Sequence, residues 1–316
     1  MPRAASGSAA STRTAHDPAT PGSGPAPALT TRPGAKPSAT ASSGHCASPA
    51  ACGFPDASST GARPTKLSPH SGNTEIRTDG QVIDGWDLHG SLDVYANDVT
   101  IVDSRITSTN WWGVNVRAGY GGLKVLHTTI VGSSTQGLDN GGTDYGVSNS
   151  GGGPLEIGWC DISQFGAAVS TGHGIVHDNF THDQAMFINL GHEWVHTDAV
   201  ISSGDDVAGL TIRHNTLINQ DPVDKGASAA VGLFPDGGPV GNTTVDDNWL
   251  AGGAYALYGG DAGSTNVHIT DNVFSTEISP NGGLYGFVAK WHPEGKGNVW
   301  SGNHTPDGGT VVSEGP

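Results

Sequence analysis

Short apolar bursts bounded by glycine, asparagine and aspartate recur along the chain, and many share one unit. An apolar residue is followed by two polar ones, a small turn-former, a variable residue and a second apolar one. The unit reads "IVDSRI" (101–106), "VLHTTI" (125–130), "IGWCDI" (157–162), "IRHNTL" (212–217), "VDDNWL" (245–250) and "ITDNVF" (269–274). A weaker copy, "VHDNFT" (176–181), ends in Thr, and "WSGNHT" (300–305) reads as a last one. The turn slot is thus occupied in order by Ser104, Thr128, Cys160, Asn179, Asn215, Asn248, Asn272 and Asn303.

Slot spacings run from 19 residues (Cys160 to Asn179) to 36 (Asn179 to Asn215), which is a β-solenoid turn plus loops of varying length. Each short strand buries one side only, so no turn is stable alone and the units must stack. Asparagine suits the corner because it tolerates the left-handed backbone of a sharp bend, and stacked Asn side chains can hydrogen-bond from turn to turn. The prediction is an all-β, right-handed parallel β-helix of about eight turns. A sandwich would not repeat its turn chemistry at one place, and a propeller needs four strands per ~40 residues.

Composition agrees. Of 316 residues 49 are glycine, only 14% are charged, and no stretch shows helical 3.6-residue periodicity. Residues 1–45, rich in Ala, Ser, Thr, Pro and Gly, lack the large apolar residues a core needs and read as a disordered linker; the β-helix domain then spans 46–316. No apolar run follows the early arginines, so a signal peptide is not evident, and none elsewhere is long enough to span a bilayer. A net charge of -16 argues against nucleic-acid and membrane partners. Cys46 and Cys52 can close a small disulfide loop, which suits an oxidising compartment, and Cys160 is left over.

The corner repeat, over roughly residues 80–305, resembles that of the pectate lyase-like right-handed parallel β-helix superfamily. The string "CGFPDASSTG" resembles the start of the mature domain in secreted actinobacterial β-helix proteins. The resemblance implies a secreted protein whose ligand is an extracellular polysaccharide, and a monomer is expected. It does not imply one activity, because lyases, hydrolases, epimerases and adhesins share the fold.

Candidate chemistry concentrates on the long middle turns. One group holds His173, His177, His182, His192 and His196 with Asp183, Glu193 and Asp198. In an extended strand His196 and Asp198 fall on one face, as a base and its orienting partner. The carboxylates Asp198, Asp205, Asp206, Asp221, Asp224 and Asp236 form a second group. "HTDAVIS…NQD" is similar to the start of the polygalacturonase pattern, which implies an acid/base role for Asp198 and Asp221. The chain departs from it with His196 in place of Asn, Pro222 in place of Asp, and "GHG" at 172–174 ahead of these strings.

Three functions follow. First comes a polysaccharide lyase acting by β-elimination on a uronate-containing glycan, with His196 as base and either Ca²⁺ held by Asp198 and Asp221 or Arg213 and Lys225 facing the substrate carboxylate. A glycoside hydrolase using an aspartate pair is the alternative, and a noncatalytic carbohydrate-binding solenoid is the third. A transition-metal site of His182, His192, His196 and Asp198 is also chemically open. Sugar contacts are expected from Trp111, Trp112, Arg117, His182, Arg213, Lys225, Asp236, Tyr255, Tyr258, Lys290 and His292, because flat rings stack on sugar CH faces while polar neighbours read hydroxyls. Tyr285 and Trp291 belong to the same aromatic set.

Overall fold

A computed structural model describes residues 46–63, 65–133, 143–204 and 208–313. The expected linker 1–45 and the acids Asp205 and Asp206 lie outside the described residues. Three sheets of nine strands each build the chain, and in every sheet the hydrogen-bonded neighbours are every third strand in chain order. All ladders are parallel, so the path is a coil: a parallel β-helix, with crossovers of the kind for which the right hand is strongly favoured. Sheet 1 begins with Ser68–Ser71, sheet 2 with Thr74–Ile76 and sheet 3 with Val82–Asp84.

The coil has nine turns where the repeat predicted about eight. The extra one is the first, Ser68–Asp84, whose corner carries Gly85 and Trp86 instead of a small turn-former. Trp86 stacks on His70 with ring centroids 3.8 Å apart, an aromatic solution to the same corner.

Inward columns make the core. In sheet 3, Ile83, Ile101, Val125, Ile157, Val176, Ile212, Val245 and Ile269 are in register and buried. In sheet 2, Leu92, Val114, Val147, Val169, Val200, Val231, Leu257 and Val288 do the same. β-Branched residues suit a pleated surface, and each fully buried side chain contributes about 1.5–3 kcal/mol.

The corner between sheets 3 and 1 differs from the sequence reading in one respect. The left-handed residue is the one before the slot: Asp103, His127, Trp159, Asp178, His214, Asp247 and Asp271 have φ between 46° and 55°. The slot residue turns its side chain inward and cannot also take the bend. Its amide group instead forms a ladder: Nδ2 of Asn179, Asn215, Asn248 and Asn272 each donates to Oδ1 of the next Asn at 2.9 Å, ending at Asn303. Each Oδ1 also accepts the preceding slot's backbone N–H at 2.9–3.1 Å.

Residues 46–63 form a strap outside the coil. Cys46 N–H donates to Pro306 O in the last turn, Phe54 packs on Trp249 and Val273, and Thr216 Oγ1 donates to Pro55 O at 2.6 Å. Gly61 N–H then reaches Trp159 O at 2.8 Å, and Arg63 forms a bidentate pair with Asp103 in the second turn. Cys46 and Cys52 are disulfide-bonded at the strap's start, and Cys160 is a free, buried thiol. The described residues contain only two single-turn 3-10 segments, Ala50–Cys52 and Val223–Lys225, and no helix long and apolar enough to cross a membrane.

Candidate functional site

The outer face of sheet 2 gathers an acid, its neighbours and a row of aromatic rings. Asp198 lies in strand Thr197–Ser202, in register with Ala167 on one side and Ala229 on the other. Its side chain points outward: residue 232, between the inward Val231 and Leu233, faces out, and a Cβ there would stand 3.0 Å from Asp198 Oδ1. The alanines flanking Asp198 leave room for the carboxyl between larger residues.

Although outward, Asp198 is 0% exposed, and neither carboxyl oxygen has a hydrogen-bond partner. Burial holds the carboxyl well above the usual carboxylate range and the Asp144 charge pushes the same way, while the Ala229 amide partly opposes without reaching hydrogen-bond geometry. Burial thus favours the protonated over the ionised form of this carboxyl. Asp144, also buried, enters the next strand but one through Tyr145, which shares a register row with Ala167 and Asp198. The Tyr145 hydroxyl is pushed up to about 12 by burial first, then by the charge of Asp144 and a hydrogen bond to it, then by Asp198.

Aromatic rings continue the face on both sides. Toward the last turns Phe234 and Tyr258 lie 5.0 Å apart, Tyr258 and Tyr255 5.5 Å, and Tyr255 and Tyr285 5.9 Å. Tyr258 is raised by burial, with smaller pushes from Tyr255, Asp198 and Tyr285. Toward the first turns the Arg117 guanidinium covers Trp112 at 4.3 Å and pairs with Asp93 at 2.7 Å. Trp111, half-buried, meets Phe187 of the 183–196 connection edge-on at 6.3 Å.

His196 and Asp221 flank the start of the Asp198 strand. His196 is exposed and precedes the strand, and the ladder register shifts between Thr197 and Asp198, so strict alternation does not link the two residues. Asp221 sits on the connection between sheets 1 and 2 beside the Thr197 side chain; burial pushes it to about 6, Thr197 opposes, and Asp183 adds to the rise. The neighbouring charge that adds to the rise is Asp144 for Asp198 and Asp183 for Asp221. Among the described residues no three His, Cys, Asp or Glu side chains come together as a metal-holding group.

The remaining candidates are dispersed by the coil. His182, on sheet 1, is clamped between Asp161 at 3.1 Å and Asp183 at 2.7 Å; burial lowers its basicity but these two carboxylates raise it more. Arg213 ends a sheet 3 strand and is exposed on another face. Lys225 lies 5.9 Å over the Trp194 ring, and Asp236 and Asp224 are exposed on connections. Lys290 pairs with Asp261 at 3.3 Å and His292 Nδ1 accepts Gly263 N–H at 3.3 Å, both after the last sheet 2 strand. Trp291 packs against Trp300, 5.7 Å away. His173 and His177 are on sheet 3, and His192 and Glu193 are exposed in the 183–196 connection.

Sequence reasoning missed Asp144, Tyr145, Gly232 and Phe234. The available signal was "TDYGV" at 143–147, an acid and an aromatic opening a strand after one of the long turns. No family model, curated protein or solved structure matches the chain.

Proposed function

We propose that the outer face of sheet 2 binds a polysaccharide and that Asp198, as a protonated carboxylic acid, donates a proton to a glycosidic oxygen in a hydrolytic cleavage. Asp144 is the companion carboxylate and Tyr145 the phenol beside it. The observation carrying this reading is the buried, unpartnered Asp198 among Asp144, Tyr145 and Tyr258. Two carboxyl groups held in different environments are what acid/base cleavage of a glycoside requires. The tyrosine row supplies stacking surface for successive sugar rings.

β-Elimination ranks second. It needs a cation or a cluster of donors beside the uronate, and the basic residues expected for that role are placed at Trp194 (Lys225) and on sheet 3 (Arg213). The acidic net charge also favours an uncharged glycan over a polyanion. A secreted location fits the Cys46–Cys52 disulfide.

A panel of neutral and uronate-containing polysaccharides decides. New reducing ends without unsaturated uronate are expected, together with their loss in Asp198→Asn. Unsaturated ends would establish the lyase instead, and binding without any new ends would leave a noncatalytic carbohydrate-binding solenoid.

A further inference from the structure

The carboxyl that the proposed chemistry needs is sealed. Along the outward row Asn115, Ser148, Ser170, Ile201, Gly232 and Tyr258, residue 232 alone lacks a side chain, which leaves a notch in the face. The ring of Phe234 fills it: a Cβ on Gly232 would meet Phe234 Cε2 at 2.3 Å, Cζ at 2.9 Å and Asp198 Oδ1 at 3.0 Å. Ring edge and carboxyl therefore converge on one point. Phe234 itself is only half-buried, and it follows the strand's last residue, Leu233, at the head of the connection "PDGGPV". Its backbone is anchored by N–H donation to Ser202 O at 2.8 Å, so the ring can leave by side-chain rotation while the chain stays put.

We infer that Phe234 is a displaceable plug: its ring occupies the place of a sugar ring in the Gly232 notch, and an incoming saccharide moves it aside to uncover Asp198. The inference rests on the reading that this face takes a saccharide. The chemistry favours the exchange because Tyr258, 5.0 Å from the Phe234 ring, can stack on either occupant. Only the saccharide brings oxygen atoms to the two carboxyl oxygens that have no partner now.

The test reads Asp198 directly, by carbodiimide activation and capture with glycine amide, located by peptide fragmentation. The variants are Phe234→Ala, which removes the ring, and Gly232→Ala, whose methyl displaces the ring but stands 3.0 Å from Asp198 Oδ1 and covers it in turn. Labelling of Asp198 is expected to rise about tenfold or more in Phe234→Ala over the wild type, the ratio imposed by a closing free energy of ~1.4 kcal/mol, and to stay near the wild-type level in Gly232→Ala. Equal labelling in all three folded proteins, or wild-type Asp198 reacting as readily as exposed Asp236, would overturn the plug. Oligosaccharide binding separates a plug from a platform: Phe234→Ala binding more tightly supports displacement, and binding more weakly overturns it. If no saccharide binds any of these proteins the reading of the face fails, while the labelling still decides whether Phe234 seals Asp198.

Discussion

Removing one rung of the asparagine ladder should destabilise the coil by several kcal/mol. Asn215 is fully buried; its Oδ1 accepts Asn179 N–H and Asn179 Nδ2, both at 2.9 Å. Its Nδ2 donates to Val176 O, Arg213 O and Asn248 Oδ1, each at 2.9 Å. Asn215→Ala leaves the Asn179 N–H and one Asn179 side-chain hydrogen buried without an acceptor, at a cost of about 1–3 kcal/mol each, or about 2–6 kcal/mol together. The comparison is Asn97→Ala. Asn97 Oδ1 accepts Gly121 N–H at 3.1 Å, but the site is exposed and water replaces the bond, so the loss should stay under about 1 kcal/mol. Urea unfolding followed by circular dichroism gives both values. If the two variants fall within ~0.5 kcal/mol of each other, the ladder does not stabilise the coil beyond an exposed hydrogen bond.

Cys160 occupies the ladder's next position, with Sγ 3.3 Å from Val125 O where an asparagine would place Nδ2. Cys160→Asn should therefore gain about 1 kcal/mol in the same assay, and a loss would show that the site cannot hold the amide. Because the Asp198 pKa is raised on folding, its contribution to stability is complete below the unfolded carboxylate range and is lost as pH rises through the folded value. Asp198→Asn should accordingly melt higher than wild type at neutral and alkaline pH and converge with it in acid; parallel melting curves would contradict a buried neutral acid. His214 couples the strap to the coil: Nδ1 contacts Asp178 at 2.6 Å, the ring stacks on Phe54 at 5.6 Å, and the Gly53 carbonyl lies at its other edge. Hydrogen bonding to Asp178 raises its pKa most, so strap docking should be tightest below the ordinary histidine range and weaken as pH rises through the raised value. Hydrogen exchange at Gly61, whose amide pairs with Trp159, should speed up in His214→Gln at mildly acidic pH; unchanged protection would refute the coupling.

The coil was legible because its two repeating devices are written in residue type: the Ile/Val columns and the Asn slot both recur in sequence. The first turn was not, since Gly85 and Trp86 solve its corner differently. The left-handed position was read one residue late, because the sequence shows that Asp and Asn share the corner without showing which one turns inward. The site is harder for a physical reason. Lateral neighbours in a coil depend on how many residues each connection absorbs, and the slot spacings from 19 to 36 residues scramble that count. Asp198, Tyr255 and Tyr258 were each visible singly, yet the register that joins them to Asp144 and Phe234 exists only once the strands are paired. The pairing of His196 with Asp198 rests on strict alternation, and the ladder slips at Thr197, an irregularity that no period-two argument contains.

Amide hydrogen exchange with and without an oligosaccharide selected by the panel screen locates the binding surface most directly. Added protection is expected along sheet 2, in 198–202, 229–234 and 255–258, which carry Asp198, Phe234 and the tyrosine row. Protection confined to the opposite corner, around Trp159, Asp178 and His214, would contradict the assignment of the outer face of sheet 2 as the functional surface.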